Sequence, residues 1–328
     1  MSKIAKIEAL AFKAGRDYLE NRGYTEIFPP RLVRASGACE NIDTLFEVSG
    51  QGDRRWWRDH KTNGDLPAYL AQTSQLYLEA LVPQLNKVYC VGPSFRAEPA
   101  VDGRHLSEFT MVEIEFAGGF NELLAEIEGF VSALHEAVRQ TTGAPHLAEL
   151  PHPFARLTYD EAIAALQNLG EAIRWGDDIS SAREQLLVAE TGRAPLFITH
   201  FPDPMWSHNQ EIEVEKFFNM LPDPERPGRV QSTDLILPTA GESVGAAARV
   251  HQPEVMKSRL VNSRMFKRLL SKGGGLEDFR WYFEKLEEQG SVPHAGCGFG
   301  MARILQWLNG SSRITDAVAF PSHRASLI

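Results

Sequence analysis

Three stretches of the chain carry residue types that could act together. Phe95-Arg96-Ala97-Glu98 runs through Arg104-His105 to Phe109, Asp234 is followed by Glu242, and Gly296, Gly298 and Gly300 lead into Arg303. Arginine offers a planar, permanently charged fork for a phosphate or a carboxylate. Paired carboxylates are hard oxygen ligands for a cation such as Mg2+, and glycines let a backbone approach a ligand closely. Each stretch also has a plainer explanation: a surface ion pair for a hairpin arginine, solvated carboxylates beside a strand, and close packing where glycines alternate.

The elements that would hold these residues are visible in the patterning. Apolar residues Ile4, Ile7, Leu10, Ala11, Ala14 and Leu19 repeat at helical spacing over residues 4–22, with Gly23 placed as a C-terminal cap. YTEIFPPRLV is strand-like, but Pro29-Pro30 confines it to a sheet edge. KVYCVGPSFRAE and FTMVEIEFAG flank the polar stretch PAVDGRHLSE, which predicts an antiparallel hairpin with a long charged loop. Helices are expected over 121–140, 159–168, 178–190 and 254–272, a buried strand at STDLILP, and a last strand, HAGCGFG, running straight into the helix MARILQWLNG. Hairpin-paired strands with helices between them predict an α+β fold, a mixed, mainly antiparallel sheet flanked by helices.

Composition narrows the possibilities. With 328 residues, of which 43% are apolar, the chain can bury a substantial core. No apolar run reaches the roughly 20 residues needed to span a bilayer, and MSKIAKIEALAFKAG lacks the apolar region of a signal peptide, so a cytoplasmic protein is expected, with no membrane partner. Cys39, Cys90 and Cys297 are far apart and odd in number, which argues for small buried residues rather than disulfides or zinc. The formal charge of −9 gives the surface no long-range attraction for a phosphate backbone. Lys257-Ser258-Arg259 with Lys267-Arg268 is a candidate local basic patch, although a solvated helix face is the simpler reading.

Taken together, the three stretches resemble the three motifs of the class II aminoacyl-tRNA synthetases, in their aspartyl and asparaginyl branch. YLAQTSQLYLEAL, VYCVGPSFRAE, RHLSEFTMVEIE, IRWGDD, ITHFP, STDLILPTAGE and SVPHAGCGFGMARIL follow one another in the order and approximate spacing of an asparaginyl-tRNA synthetase core. The resemblance implies one catalytic domain over residues 1–328, a homodimer formed through residues 1–35, and ATP- and Mg2+-dependent, AMP-forming activation of a carboxylate. By the same resemblance, Arg96, Glu98, Arg104, His105, Phe109, Gly298, Gly300 and Arg303 bind ATP, and Asp234 and Glu242 hold the metal. Arg96, Arg303 and Glu242 carry the catalytic work. Glu40, Gln75 and Glu113 match positions that hold the substrate's ammonium group and backbone, and Arg249 matches the arginine that reads its side-chain carbonyl or carboxylate. The chemistry suits these groups: attack of a carboxylate oxygen on the α-phosphorus builds negative charge, so positioning and electrostatic stabilisation suffice and no protein nucleophile is needed.

Several positions depart from the family pattern. No anticodon-binding barrel precedes the first motif. Leu78 stands where aspartate-specific enzymes carry a lysine, and Leu78-Glu79 resembles the asparaginyl branch. Gly245-Ala246-Ala247-Ala248-Arg249 replaces Gly-Gly-Ser-Gln-Arg, and Asn41-Ile42-Asp43 replaces a Gly-rich run, which predicts a bulkier, more charged pocket wall. Ala302 and Pro321-Ser322 also differ from the usual last motif. The leading expectation is an ammonia-using amide ligase resembling the archaeal-type asparagine synthetases, which would adenylate aspartate and let ammonia displace AMP, with no tRNA partner. The second is an asparaginyl-tRNA-ligase-like donor of an aminoacyl adenylate to tRNA or to a small-molecule or peptide acceptor, using aspartate, asparagine or an analogue. The third is a non-catalytic nucleotide-binding paralogue.

Overall fold

The computed structural model describes residues 2–37, 41–52, 55–58, 64–100 and 102–327. Its main sheet has eight strands: β1 (Thr25–Glu26), β2 (Lys87–Phe95), β3 (Glu108–Ala117), β4 (Ala155–Thr158), β5 (Leu196–Thr199), β6 (Ser232–Leu237), β7 (Gly241–Ala248) and β8 (His294–Gly300). They lie in the order β1-β2-β3-β8-β7-β6-β5-β4. The six central strands are antiparallel to one another, and each edge strand pairs parallel with the strand beside it. The expected hairpin is β2 and β3, in register from Lys87↔Phe116 to Phe95↔Glu108. YTEIFPPRLV contributes only the two-residue β1 to this sheet, and Leu32–Val33 joins a separate three-stranded sheet, because the prolines between them have no N–H to donate.

Alternation along the strands makes the two faces of the sheet chemically different. Val112, Ile114 and Phe116 of β3, Val244, Ala246 and Ala248 of β7, and Ala295, Cys297 and Phe299 of β8 belong to one buried apolar cluster. The helices α1 (Ser2–Asn21) and α3 (Phe120–Thr142) cover that face, and α2 (Gln75–Glu79) lies between them in the chain. The covering helices meet closely because a glycine on each admits an aromatic ring of the other: Gly15 lies under Phe130 and Gly129 under Tyr18. Truncating the fully buried Phe130 is expected to cost about 3–5 kcal/mol.

The opposite face of the sheet presents Met111, Glu113 and Glu115 beside Gly296 and Gly298. It is roofed by a second apolar cluster built from Ile42, Leu76 and Phe218 together with α6 (Pro253–Asn262), α7 (Arg264–Ser271) and α8 (Arg280–Gln289). Between α3 and α6 run α4 (Tyr159–Asn168) and α5 (Ser181–Glu190), which pack on β4, β5 and Ile236. The chain ends after α9 (Met301–Asn309), capped by Gly310 at φ 65° as its sequence predicts.

Two expectations need correction here. Residues 254–272 form two helices, because Ser263 is extended and its hydroxyl accepts the Phe266 N–H, capping α7. Arg259 belongs neither to a basic patch nor to a solvated helix face. Arg259 is buried, donating to Asp203 at 2.9 and 3.2 Å and to the Phe218 carbonyl at 2.8 Å, while Arg268 pairs with Glu215. Cys90 and Cys297 are free and buried as expected, and Cys39 lies outside the described residues.

Candidate active site

The bared face of the sheet and the helical roof enclose a cavity of about 510 Å³. Arg96 enters it directly after β2, where its N–H donates to the Ser107 carbonyl at 2.9 Å and fixes the loop as it leaves the hairpin. Its guanidinium lies 5.5 Å from the centre of the Phe109 ring. Asp102 organises the loop tip by accepting the Arg104 N–H at 2.8 Å and the His105 Nδ1–H at 2.9 Å. These bonds hold its carboxyl below the usual carboxylate range although burial opposes them. The Gly103 carbonyl accepts from Ile314, and Arg324 donates to the Pro99 carbonyl at 3.1 Å, so the C-terminal segment fastens the loop from outside. Glu98, Arg104, His105 and Phe109 all line the cavity.

An acidic cluster stands on β6 and β7. Asp234 is registered opposite Gly245, and a methyl group on Gly245 would lie 3.6 Å from Glu242 Oε1 and 4.0 Å from Asp234 Oδ1, so both oxygens face one small space. Hard carboxylate oxygens converging beside a missing side chain fit a Mg2+ ion. The other Asp234 oxygen, Oδ2, accepts from Lys216 Nζ at 2.6 Å. Burial pushes the Asp234 carboxyl up to about 7 against the pull of Lys216, and burial with the nearby Glu242 pushes Glu184 of α5 up to about 7. Arg303, in the first turn of α9, donates to the Glu242 carbonyl and lines the same cavity as Arg96.

The far end of the cavity is a buried polar network. Glu113 accepts the Ser74 N–H on both oxygens at 2.9 Å, as well as the Thr73 hydroxyl, and so fixes the turn that starts α2. Gln75 donates to Glu79 at 2.7 Å, and Asn219 and Tyr282 donate to the same carboxylate at 2.6 and 2.5 Å. Burial opposes a charge on Glu79, but His294 at 3.4 Å, Arg249 and Tyr282 hold its carboxyl below the ordinary value. Arg249 donates to Glu115 at 2.7 and 3.1 Å and stands 4.0 Å from Glu79. Leu78 borders the cavity and is buried in a cluster with Val82, Val88 and Cys90.

The structure thus gathers Arg96, Glu98, Arg104, His105, Phe109, Glu113, Gln75, Arg249, Asp234, Glu242 and Arg303 around one cavity. Glu40 lies outside the described residues. Gly298 and Gly300 also line the cavity, and the strand's glycines make room for side chains of β3 as well. The space above Gly296 is filled by the Glu115 carboxyl, and that above Gly298 by the end of Met111; a methyl there would meet them at 2.1 and 2.3 Å. Asn41-Ile42-Asp43 does not form the cavity wall: Asn41 caps the turn at 42–44, Ile42 is buried in the helical roof, and Asp43 pairs with Lys272 at the surface. Sequence reasoning missed Glu115, Asn219, His294 and Lys216. The two-residue period Met111, Glu113, Glu115 carried a signal for the first. Lys216 lies on an irregular segment with no periodicity to betray it.

Comparison with known proteins agrees with this geometry. The profile of the class II tRNA synthetases (D, K and N) matches residues 1–324. The asparagine–tRNA ligase of Pelotomaculum thermopropionicum is 34% identical over 98% of this chain and 69% of its own length. The asparaginyl-tRNA synthetase of Pyrococcus horikoshii, solved with asparaginyl-adenylate, superposes with a TM-score of 0.80 at 31% identity over 99% of this chain and 69% of that one. The Entamoeba histolytica asparaginyl-tRNA synthetase, also solved with asparaginyl-adenylate, gives 0.81 at 28% identity over 99% and 68%. The chain belongs to the class II tRNA synthetases of the D, K and N group, in the aspartyl/asparaginyl branch. It is an ATP-dependent, AMP-forming ligase, and the fold is the one its motifs imply.

Proposed function

We propose that the chain activates asparagine with ATP, forming asparaginyl-adenylate and pyrophosphate, and passes the asparaginyl group to tRNA. The observation that carries the choice of amino acid is the pairing of Glu115 with Arg249 at 2.7 Å, both of which line the cavity, with the fully buried Glu79 4.0 Å from the arginine. A carboxamide presents an N–H donor and a carbonyl acceptor side by side, and a carboxylate next to a guanidinium matches that pair. A second carboxylate, as in aspartate, would meet the Glu115 carboxyl beside Arg249, and Leu78 supplies no further charge. The names of the relatives support the same choice and support tRNA as the acceptor. This is the second of the readings drawn from the sequence. The amide-ligase reading, with ammonia as co-substrate, has less support from either source, and the expectation that tRNA is not a partner gives way to tRNA as acceptor.

In this reading the substrate carboxylate approaches the α-phosphorus along Arg96, whose fork spans both groups, while Phe109 and Arg303 take the adenine from either side. Arg104 and His105 meet the outer phosphates. Mg2+ on Asp234 and Glu242 supplies positive charge to the phosphate oxygens. Gln75, Glu40 and the Glu113-braced turn receive the ammonium group. A homodimer through the first helix and the segment after it, and a cytoplasmic location, belong to the same proposal; among the described residues no helix is long and apolar enough to cross a membrane.

Product analysis tests this directly. The protein should release AMP and form asparaginyl-tRNA when given asparagine, ATP and a tRNA-Asn transcript. Turnover that needs aspartate and ammonia, and ignores tRNA, would restore the amide-ligase reading in its place.

A further inference from the structure

Lys216 is a cation that the proposed adenylation chemistry does not use. Its side chain is 13% exposed, and its ammonium lies 3.6 Å from the centre of the Phe201 ring and donates to Asp234 Oδ2 at 2.6 Å. Asp178 and Glu242 are the other charges that act on it, and all four groups line the cavity. Asp234 therefore serves two partners: Oδ2 faces the lysine, while Oδ1 faces the space it shares with Glu242 beside Gly245. An ammonium on one oxygen of a carboxylate lowers the attraction of the other oxygen for a divalent ion, because like charges repel across a short, poorly screened distance. A triphosphate arriving beside Asp234 reverses that balance, since it brings acceptor oxygens for both cations at once.

We propose that Lys216 is the resident counter-ion of the metal–nucleotide site. It competes with the divalent ion for Asp234 in the empty cavity and turns to a phosphate oxygen when the nucleotide enters, so that metal and ATP bind as a unit. The proposal rests on the assignment of Asp234 and Glu242 to the metal, and it makes Lys216 a further nucleotide-binding residue. A neutral side chain at position 216 removes the competitor from the empty site and also removes a phosphate ligand from the filled one. The two effects have opposite signs. Simple damage to the site would weaken both.

The test is Mn2+ binding, read from the electron paramagnetic resonance of the free ion, on the whole protein with and without α,β-methylene-ATP. Lys216→Gln should bind Mn2+ at least about tenfold more tightly than wild type without nucleotide, yet bind the ATP analogue about tenfold more weakly in saturating Mn2+. Lys216→Arg, which keeps the charge, should stay close to wild type without nucleotide. Unchanged or weaker Mn2+ binding by Lys216→Gln overturns the proposal. Should that variant fail to fold, pulse acetylation of the wild type decides. Mn2+ should raise labelling of Lys216 by freeing its amine from Asp234, and labelling that ignores Mn2+ rules the competition out. Asp234→Asn separates the two levels: if it retains full Mn2+ affinity, the metal assignment itself is wrong.

Discussion

Arg249 donates through both Nε and Nη2 to a single oxygen of Glu115, Oε1, at 3.1 and 2.7 Å, and the other oxygen of that buried carboxylate, Oε2, has no hydrogen-bond partner among the described residues. The pair closes the end of the amino-acid pocket and is incompletely satisfied. Burial pushes the Glu115 carboxyl up to about 7; Arg249 opposes the shift and Glu79 adds to it.

That shift has a sign that can be measured. Glu115 in the unfolded chain titrates near 4.5 and in the folded protein near 7, so between these values the folded state holds a proton that the unfolded state releases. Its stabilising contribution is complete below pH 4.5 and lost as pH rises through 7, at up to about 1.4 kcal/mol per pH unit. Urea unfolding of wild type and Glu115→Gln at pH 5 and pH 7.5 should show the wild type losing roughly 2–3 kcal/mol relative to the variant. Parallel pH profiles would show that Glu115 is charged throughout.

Arg249 faces the substrate rather than the nucleotide. Arg249→Ala should raise the KM for the amino acid about 10- to 100-fold, as expected for losing charge-assisted hydrogen bonds, and change the KM for ATP by less than about threefold. An equal loss of ATP binding would place the arginine elsewhere in the reaction.

Arg259 and Asp203 form a buried ion pair on the path from β5 to α6. Arg259→Ala leaves Asp203 without its cation and should destabilise the fold by about 3–5 kcal/mol in urea. The folded fraction should keep its KM for ATP, because neither residue lines the cavity.

Arg96 is held by the hairpin and contributes its guanidinium to the cavity without supporting the core. Arg96→Ala should lower pyrophosphate exchange by about 100-fold or more with an unchanged melting temperature. Near-normal exchange in that variant would remove the centre of the proposed site.

The parts of this structure that local rules govern were open to sequence reading. The β2–β3 hairpin, α1, α3 and the run from β8 into α9 follow from periodicity and capping, and the resemblance to family motifs placed Arg96, Asp234, Glu242 and Arg303 around one cavity. What stayed hidden depends on contacts distant in sequence. Arg259 looked like part of a charged face because Asp203, its partner, is 56 residues away. Nothing local to Gly296 and Gly298 reveals that Glu115 and Met111, on the neighbouring strand, fill the space above them. Lys216 meets Asp234 only when an irregular segment folds back across β6.

The most direct measurement is ATP–pyrophosphate exchange across a panel of amino acids. Asparagine should support exchange far better than aspartate, because Glu115 beside Arg249 suits an amide better than a second carboxylate. Exchange driven by aspartate and not by asparagine would contradict the account at its centre.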